Sequence, residues 1–154
     1  MARWSEIDSV AATLTGVAEL RFAANRHHVL GTIRPDGSPR LSGTEVYFHR
    51  GDVWIGCMPT SGKVSDLRRD PRCALHTAPI DLEMVEGDAV IDAVAVETED
   101  ADVWAAITEG SEEPVNGVLF RMDVTRFRVV QVEGDRLLVH SWDPDRGVDL
   151  RVVD

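Results

Sequence analysis

The stretch that decides the fold is Met58-Pro59-Thr60-Ser61-Gly62-Lys63-Val64-Ser65-Asp66-Leu67-Arg68-Arg69-Asp70-Pro71-Arg72. Two hydroxyls and a glycine precede Lys63, and the run ends at Asp70-Pro71, where the residue before proline is pushed out of the α region. The pattern predicts a strand ending near Met58 and a helix over about residues 61–70. Lys63 is the only lysine among sixteen basic residues. Backbone N–H groups at a helix start, hydroxyl donors and one compact ammonium make an anion site, with phosphate as the natural ligand. A solvated lysine in a first helical turn is the plain alternative.

On the N-terminal side, His28–Ile33 reads as a strand leading into the turn Arg34-Pro35-Asp36-Gly37-Ser38-Pro39. Residues 40–48 alternate, with Leu41, Gly43, Glu45 and Tyr47 on one face and Ser42, Thr44, Val46 and Phe48 on the other. After a turn at His49–Asp52, Val53–Met58 forms a third strand, and the three read as a β-meander. Farther out, Ser5 reads as the N-cap of a helix over about residues 6–24, broken near Gly16. On the C-terminal side, strands are expected over 73–77, 84–96, 118–132 and 136–141, with a short helix over 100–108 and a loop over 110–116. The fold class is mainly β (α+β): one domain over residues 1–154, built as a closed or partly closed antiparallel barrel.

With 154 residues, 44% hydrophobic and 28% charged, the chain is globular and can bury a real core. No apolar run approaches the roughly 20 residues that span a bilayer, and Met1–Glu6 shows no signal pattern, so the expected location is cytoplasmic. A net charge of −11 argues against a nucleic-acid partner. Residues 73–120 hold no Lys or Arg against twelve acidic residues, whereas residues 26–72 hold eight of the sixteen basic ones. Such a concentration suits an anionic ligand, or is simply an uneven surface. Cys57 and Cys73 lack Cys-x-x-Cys spacing and read as buried thiols. The five histidines show no metal-ligand spacing.

The order of these pieces resembles the flavin- and deazaflavin-binding split β-barrels related to pyridoxamine 5′-phosphate oxidase. The hairpin Arg34-Pro35-Asp36-Gly37-Ser38-Pro39 resembles the family's R-x-D-G-x-P. Thr44–Phe48 and Val53–Gly56 match its next strands, and Ser61–Arg72 is similar to S-x-K-x-x-N-L-x-x-D-P-R. Glu86–Ala89 resembles its glycine-containing fifth strand, and Ser141–Gly147 a closing segment of some members. Asp66 stands where the family commonly has Asn, and Gly62 directly precedes the lysine.

The resemblance implies a six- to seven-stranded split β-barrel with an N-terminal helix and short peripheral helices. It implies a homodimeric oxidoreductase that holds FMN or the deazaflavin F420 at the dimer interface and moves a hydride to or from a small organic substrate. The arginine excess fits a GC-rich genome and tilts the expectation slightly to F420. The resemblance assigns the phosphate to Thr60, Ser61 and Lys63, and the ring to Thr44, Glu45, Val46, Trp54 and Gly56. Arg68 would add to the positive field, and Trp142 would cover the partner's site. Trp54 and Trp142 read also as packing residues, and Arg34 and Arg40 as turn residues that aid solubility. The chemistry belongs to the cofactor, so no acid, base or nucleophile is assigned. Two other readings stay open: a cofactor-binding module without turnover, and a structural dimer with a decayed site.

Overall fold

A computed structural model describes residues 1–109 and 116–154. Helix α1 (Trp4–Ala23) turns Trp4, Ile7, Leu14, Ala18 and Phe22 onto the sheet. It starts before the expected Ser5 cap. Arg3 holds the N-cap position, and its backbone N–H donates to the Glu6 carboxylate at 2.6 Å. The break lies at Ala11 (φ −140°, ψ 33°), not at Gly16. Buried Thr15 stands beside it, its hydroxyl 2.5 Å from Asp8 Oδ1 and 3.1 Å from the Ala12 carbonyl. Side chains that compete for helix carbonyls bend helices.

Among the described residues nine strands follow, two or three more than expected: β1 (His28–Ile33), β2 (Pro39–Thr44), β3 (Tyr47–His49), β4 (Asp52–Cys57), β5 (Arg72–His76), β6 (Asp88–Thr98), β7 (Val118–Glu133), β8 (Arg136–Asp143) and β9 (Gly147–Val153). They form one antiparallel sheet in the order β2-β1-β5-β6-β7-β4-β3, with β8 on β7 and β9 on β8. The end strands β2 and β3 do not pair, so the barrel is split.

The expected meander is replaced by two hairpins. Residues 40–48 break at Glu45-Val46: β2 pairs back onto β1, while β3 turns to β4. Strand β6 begins at Asp88 and not at Met84, because a tight loop comes first. In it Met84 (φ 56°) and Gly87 (φ 78°) are left-handed, and Asp81 accepts the N–H groups of Glu86 (2.7 Å) and Gly87 (3.0 Å).

The core between α1 and the curled sheet is filled by Leu30, Val53, Ile55, Leu75, Ile91, Phe120, Met122 and Phe127. Helix α2 (Gly62–Arg69) buries Val64, Asp66 and Leu67. Helix α3 (Ala101–Ile107) is capped by Asp100, which accepts the Val103 N–H at 3.0 Å, and it packs Val103 with Trp54 and Leu119. Of the expected loop 110–116, only Asn116 is among the described residues. No helix among them is long and apolar enough to cross a membrane.

Candidate functional site

Ser61 is the N-cap of α2, with extended backbone (φ −71°, ψ 144°), so the helix begins at Gly62 as the hydroxyl-glycine-lysine pattern predicts. Its Oγ is buried without a hydrogen-bond partner among the described residues. Lys63 reaches back across β2 and donates from Nζ to the Gly43 carbonyl at 2.7 Å. The ammonium therefore stands at the junction of β2 and α2, half-buried.

Beside it lies a residue that sequence reading left as a turn residue. Arg40 donates from Nε to Asp66 Oδ2 at 2.7 Å, and its guanidinium lies over Gly62. A Cβ on Gly62 would approach Arg40 Cζ and Nη1 to 3.1 Å. Asp66 is buried and also accepts from Thr32 (2.8 Å) and Arg69 (3.4 Å). The Arg40 hydrogen bond, more than Thr32, holds the Asp66 carboxyl below its ordinary range against the opposing effect of burial. Both Arg40 Nη atoms are without a hydrogen-bond partner among the described residues.

A cavity of about 410 Å³ opens next to Lys63, with Gly43, Glu45, Tyr47, Gly56 and Trp104 among its walls. Its rim carries a polar chain: Tyr47 donates to Glu45, which also accepts from Arg26 Nε at 2.7 Å. Burial first, and then the Glu45 carboxylate, push the Tyr47 phenol up to about 12, so it is a hydrogen-bond donor at neutral pH. In the same wall, the outer end of the Trp104 indole of α3 lies against two glycines. A Cβ on Gly56 would meet it at 3.2 Å, and one on Gly117 at 2.6 Å.

The structure thus brings Thr44, Glu45, Gly56 and Lys63 together around one cavity. Ser61, at the N-cap of α2, and Thr60, exposed in the turn before it, do not line the cavity. Val46 packs on the main core from the next cleft. Trp54 is buried against Val103 and Leu119, with Nε1 on the His49 carbonyl at 2.9 Å. Arg68 points away to a two-bonded pair with Glu97 (2.6 and 2.8 Å). Trp142 is buried beside Phe127 on β7, at a centroid distance of 6.3 Å. Sequence reading missed Arg40, Tyr47 and Trp104. Tyr47 is the only tyrosine, a signal comparable with the single lysine. Nothing local marks Trp104, whose partners are 48 and 13 residues away.

No protein-family model matches the sequence, and no curated protein matches it. Solved structures do share the fold. A pyridoxamine 5′-phosphate oxidase-related, FMN-binding protein from Nostoc punctiforme aligns with a TM-score of 0.62 at 12% identity, over 100% of this chain and 98% of that one. General Stress Protein 26 from Bacillus anthracis aligns with 0.61 at 18%, over 73% and 89%. A heme-binding protein from Mycobacterium smegmatis aligns with 0.63 at 17%, over 82% of this chain and 57% of the other. The neighbours in structure space include pyridoxamine 5′-phosphate oxidase-related and general stress protein 26 proteins, and at these identities the likeness establishes the fold.

Proposed function

We propose that the cavity beside Lys63 holds a flavin-type cofactor by its phosphate, and that the chain is an oxidoreductase moving a hydride to or from a small organic substrate, with the site completed in a homodimer. The observation that carries this reading is Lys63 at the start of α2, on the wall of a cavity of about 410 Å³, with the Arg40 guanidinium over the adjoining Gly62. Ligand pockets run from about 300 to 1,000 Å³, so the space suits a flat ring with a phosphate tail.

The residues present fit such a group. Among the described residues, Ser61 Oγ is a buried hydroxyl without a partner at the N-cap of α2, two residues before Lys63, and the Arg40 Nη atoms are uncommitted donors. When bound, the cofactor supplies the hydride chemistry. The chain supplies the rest. Lys63 and Arg40 hold the phosphate, while Trp104 and Tyr47 wall the ring from water. The Glu45 carboxylate would disfavour added negative charge on a nearby ring, and its bonds to Tyr47 and Arg26 temper that effect.

FMN is the first cofactor to test, because a structural relative that aligns over the whole chain is an FMN-binding protein. F420 and heme are the other arms. The purified protein is titrated with each and followed by absorbance and fluorescence. Lys63→Ala is expected to weaken the bound cofactor by about 10–100-fold, as loss of one charge-assisted contact predicts. Equal affinity for the variant would overturn the phosphate role, and no binding of FMN or F420 at micromolar concentration would overturn the cofactor reading. A second reading, a binding module without turnover, is favoured by the Trp104 indole, which occupies the space over Gly56 that a substrate beside the ring would use. It prevails if the bound, reduced cofactor is reoxidised by no acceptor tested.

A further inference from the structure

Strand β9 pairs with β8 through all seven of its residues, from Gly147↔Asp143 to Val153↔Leu137, and its other edge pairs with nothing among the described residues. An edge of this length exposes a row of backbone donors and acceptors ready for another strand. Its side chains alternate between two faces. Val148, Leu150 and Val152 lie on one, 52%, 50% and 44% exposed. Asp149 and Arg151 lie on the other, both exposed and neither in an ion pair among the described residues.

We propose that this edge binds a second copy of itself, β9 against β9 in antiparallel register about a two-fold axis through Leu150. The residue pattern is self-complementary in that register and in no other nearby one. Each Asp149 falls opposite an Arg151 of the second copy, so the axis makes two opposite-charge cross-strand pairs on one face. On the other face each Val148 meets a Val152, and Leu150 meets its own symmetry mate. Charges on an edge strand ordinarily repel a like edge. Here opposite signs two residues apart turn the same charges into a register lock. Contacts of this isologous kind close on themselves and do not run on into fibres.

The apolar face has somewhere to continue. A groove of about 570 Å³ runs between α1 and the sheet, lined by Val10, Leu14 and Val17 on one side and Val129, His140 and Val148 on the other. The second copy's Val152 would sit beside Val148 at its rim. β8 and β9 hang on the second half of β7, whereas β4 and the cavity belong to the first half. The inference therefore stands independently of the cofactor reading.

Engineered cysteines read the register directly. Facing residues of an antiparallel pair have Cα atoms about 4.5–5.5 Å apart, inside the disulfide range of about 4.4–6.8 Å. Two Val148 residues would be roughly 14 Å apart, four residues along the strand. Under copper–phenanthroline and air, Leu150→Cys is expected to form a disulfide-linked dimer. Val148→Cys alone should not, while Val148→Cys mixed with Val152→Cys should. Adding Arg151→Asp to Leu150→Cys sets aspartates opposite each other and should lower the cross-linking rate about tenfold. The further exchange Asp149→Arg should restore it. Cross-linking of Val148→Cys alone as fast as Leu150→Cys, or indifference to Arg151→Asp, overturns the proposal. Restoration by the charge swap separates a register effect from damage to the fold.

Discussion

Gly62 and Asp66, the two departures from the flavin-binding pattern, share one cause in Arg40. Its guanidinium occupies the space a side chain at 62 would take, and its Nε is the hydrogen bond that keeps Asp66 ionised in a buried place. Arg40→Met keeps the length and removes the charge. It leaves Asp66 with Thr32 and the longer Arg69 contact, so we expect a loss of about 1–3 kcal/mol in urea unfolding at pH 7. The sign with pH follows from the lowered carboxyl. The stability that the ion pair contributes is fully present above the ordinary value of 3.8 and is lost as pH falls below it. The gap between wild type and variant should therefore narrow at pH 3. A gap unchanged with pH would mean that the arginine acts through packing alone.

At the scale of elements, the loop into β6 turns on one glycine. Gly87 has φ 78°, a Cβ there would run into the Val130 carbonyl oxygen, and its own carbonyl accepts from Arg21 of α1 at 2.8 Å. Gly87→Ala is expected to cost at least about 1–3 kcal/mol from backbone strain, with more from the clash, and to lower the thermal midpoint measured by circular dichroism. An unchanged midpoint would show that the loop relaxes freely. Element types were largely legible in the sequence, because period and punctuation encode them: α1, β1, α2, β5 and β7 fall where their patterns put them. Partners were not. Alternation from Arg40 to Phe48 is unbroken, yet the hydrogen-bond partner changes from β1 to β4 at Glu45-Val46, which a period of two does not record. β9 alternates clearly, but it lies beyond the closing segment Ser141–Gly147, where sequence reading assigned no element. The same limit governs the site. The Ser61-Gly62-Lys63 junction is local and could be read, whereas Arg40 over Gly62 and Trp104 over Gly56 join distant parts of the chain.

Across the whole molecule, the uneven charge of the sequence is partly cancelled in space. Arg68 and Arg50, from the basic stretch, pair with Glu97 and Asp102 of the acidic one. Among the described residues, the Lys and Arg side chains that line the cavity are then Lys63 and Arg26, with Arg40 over the neighbouring Gly62; Arg26 and Arg40 each share a carboxylate. The strands also differ in how they are held. β7 carries β6 along most of one side, and β4 then β8 along the other. Few of its amides can meet solvent unless the entire sheet comes apart. Deuterium uptake should therefore be slowest in the peptides from β6 and β7, at a rate reporting global stability, and fastest in β9, whose outer amides open locally. Dilution then becomes a probe of that edge: β9 uptake should rise as the protein is diluted through the self-association range, while β7 uptake stays constant.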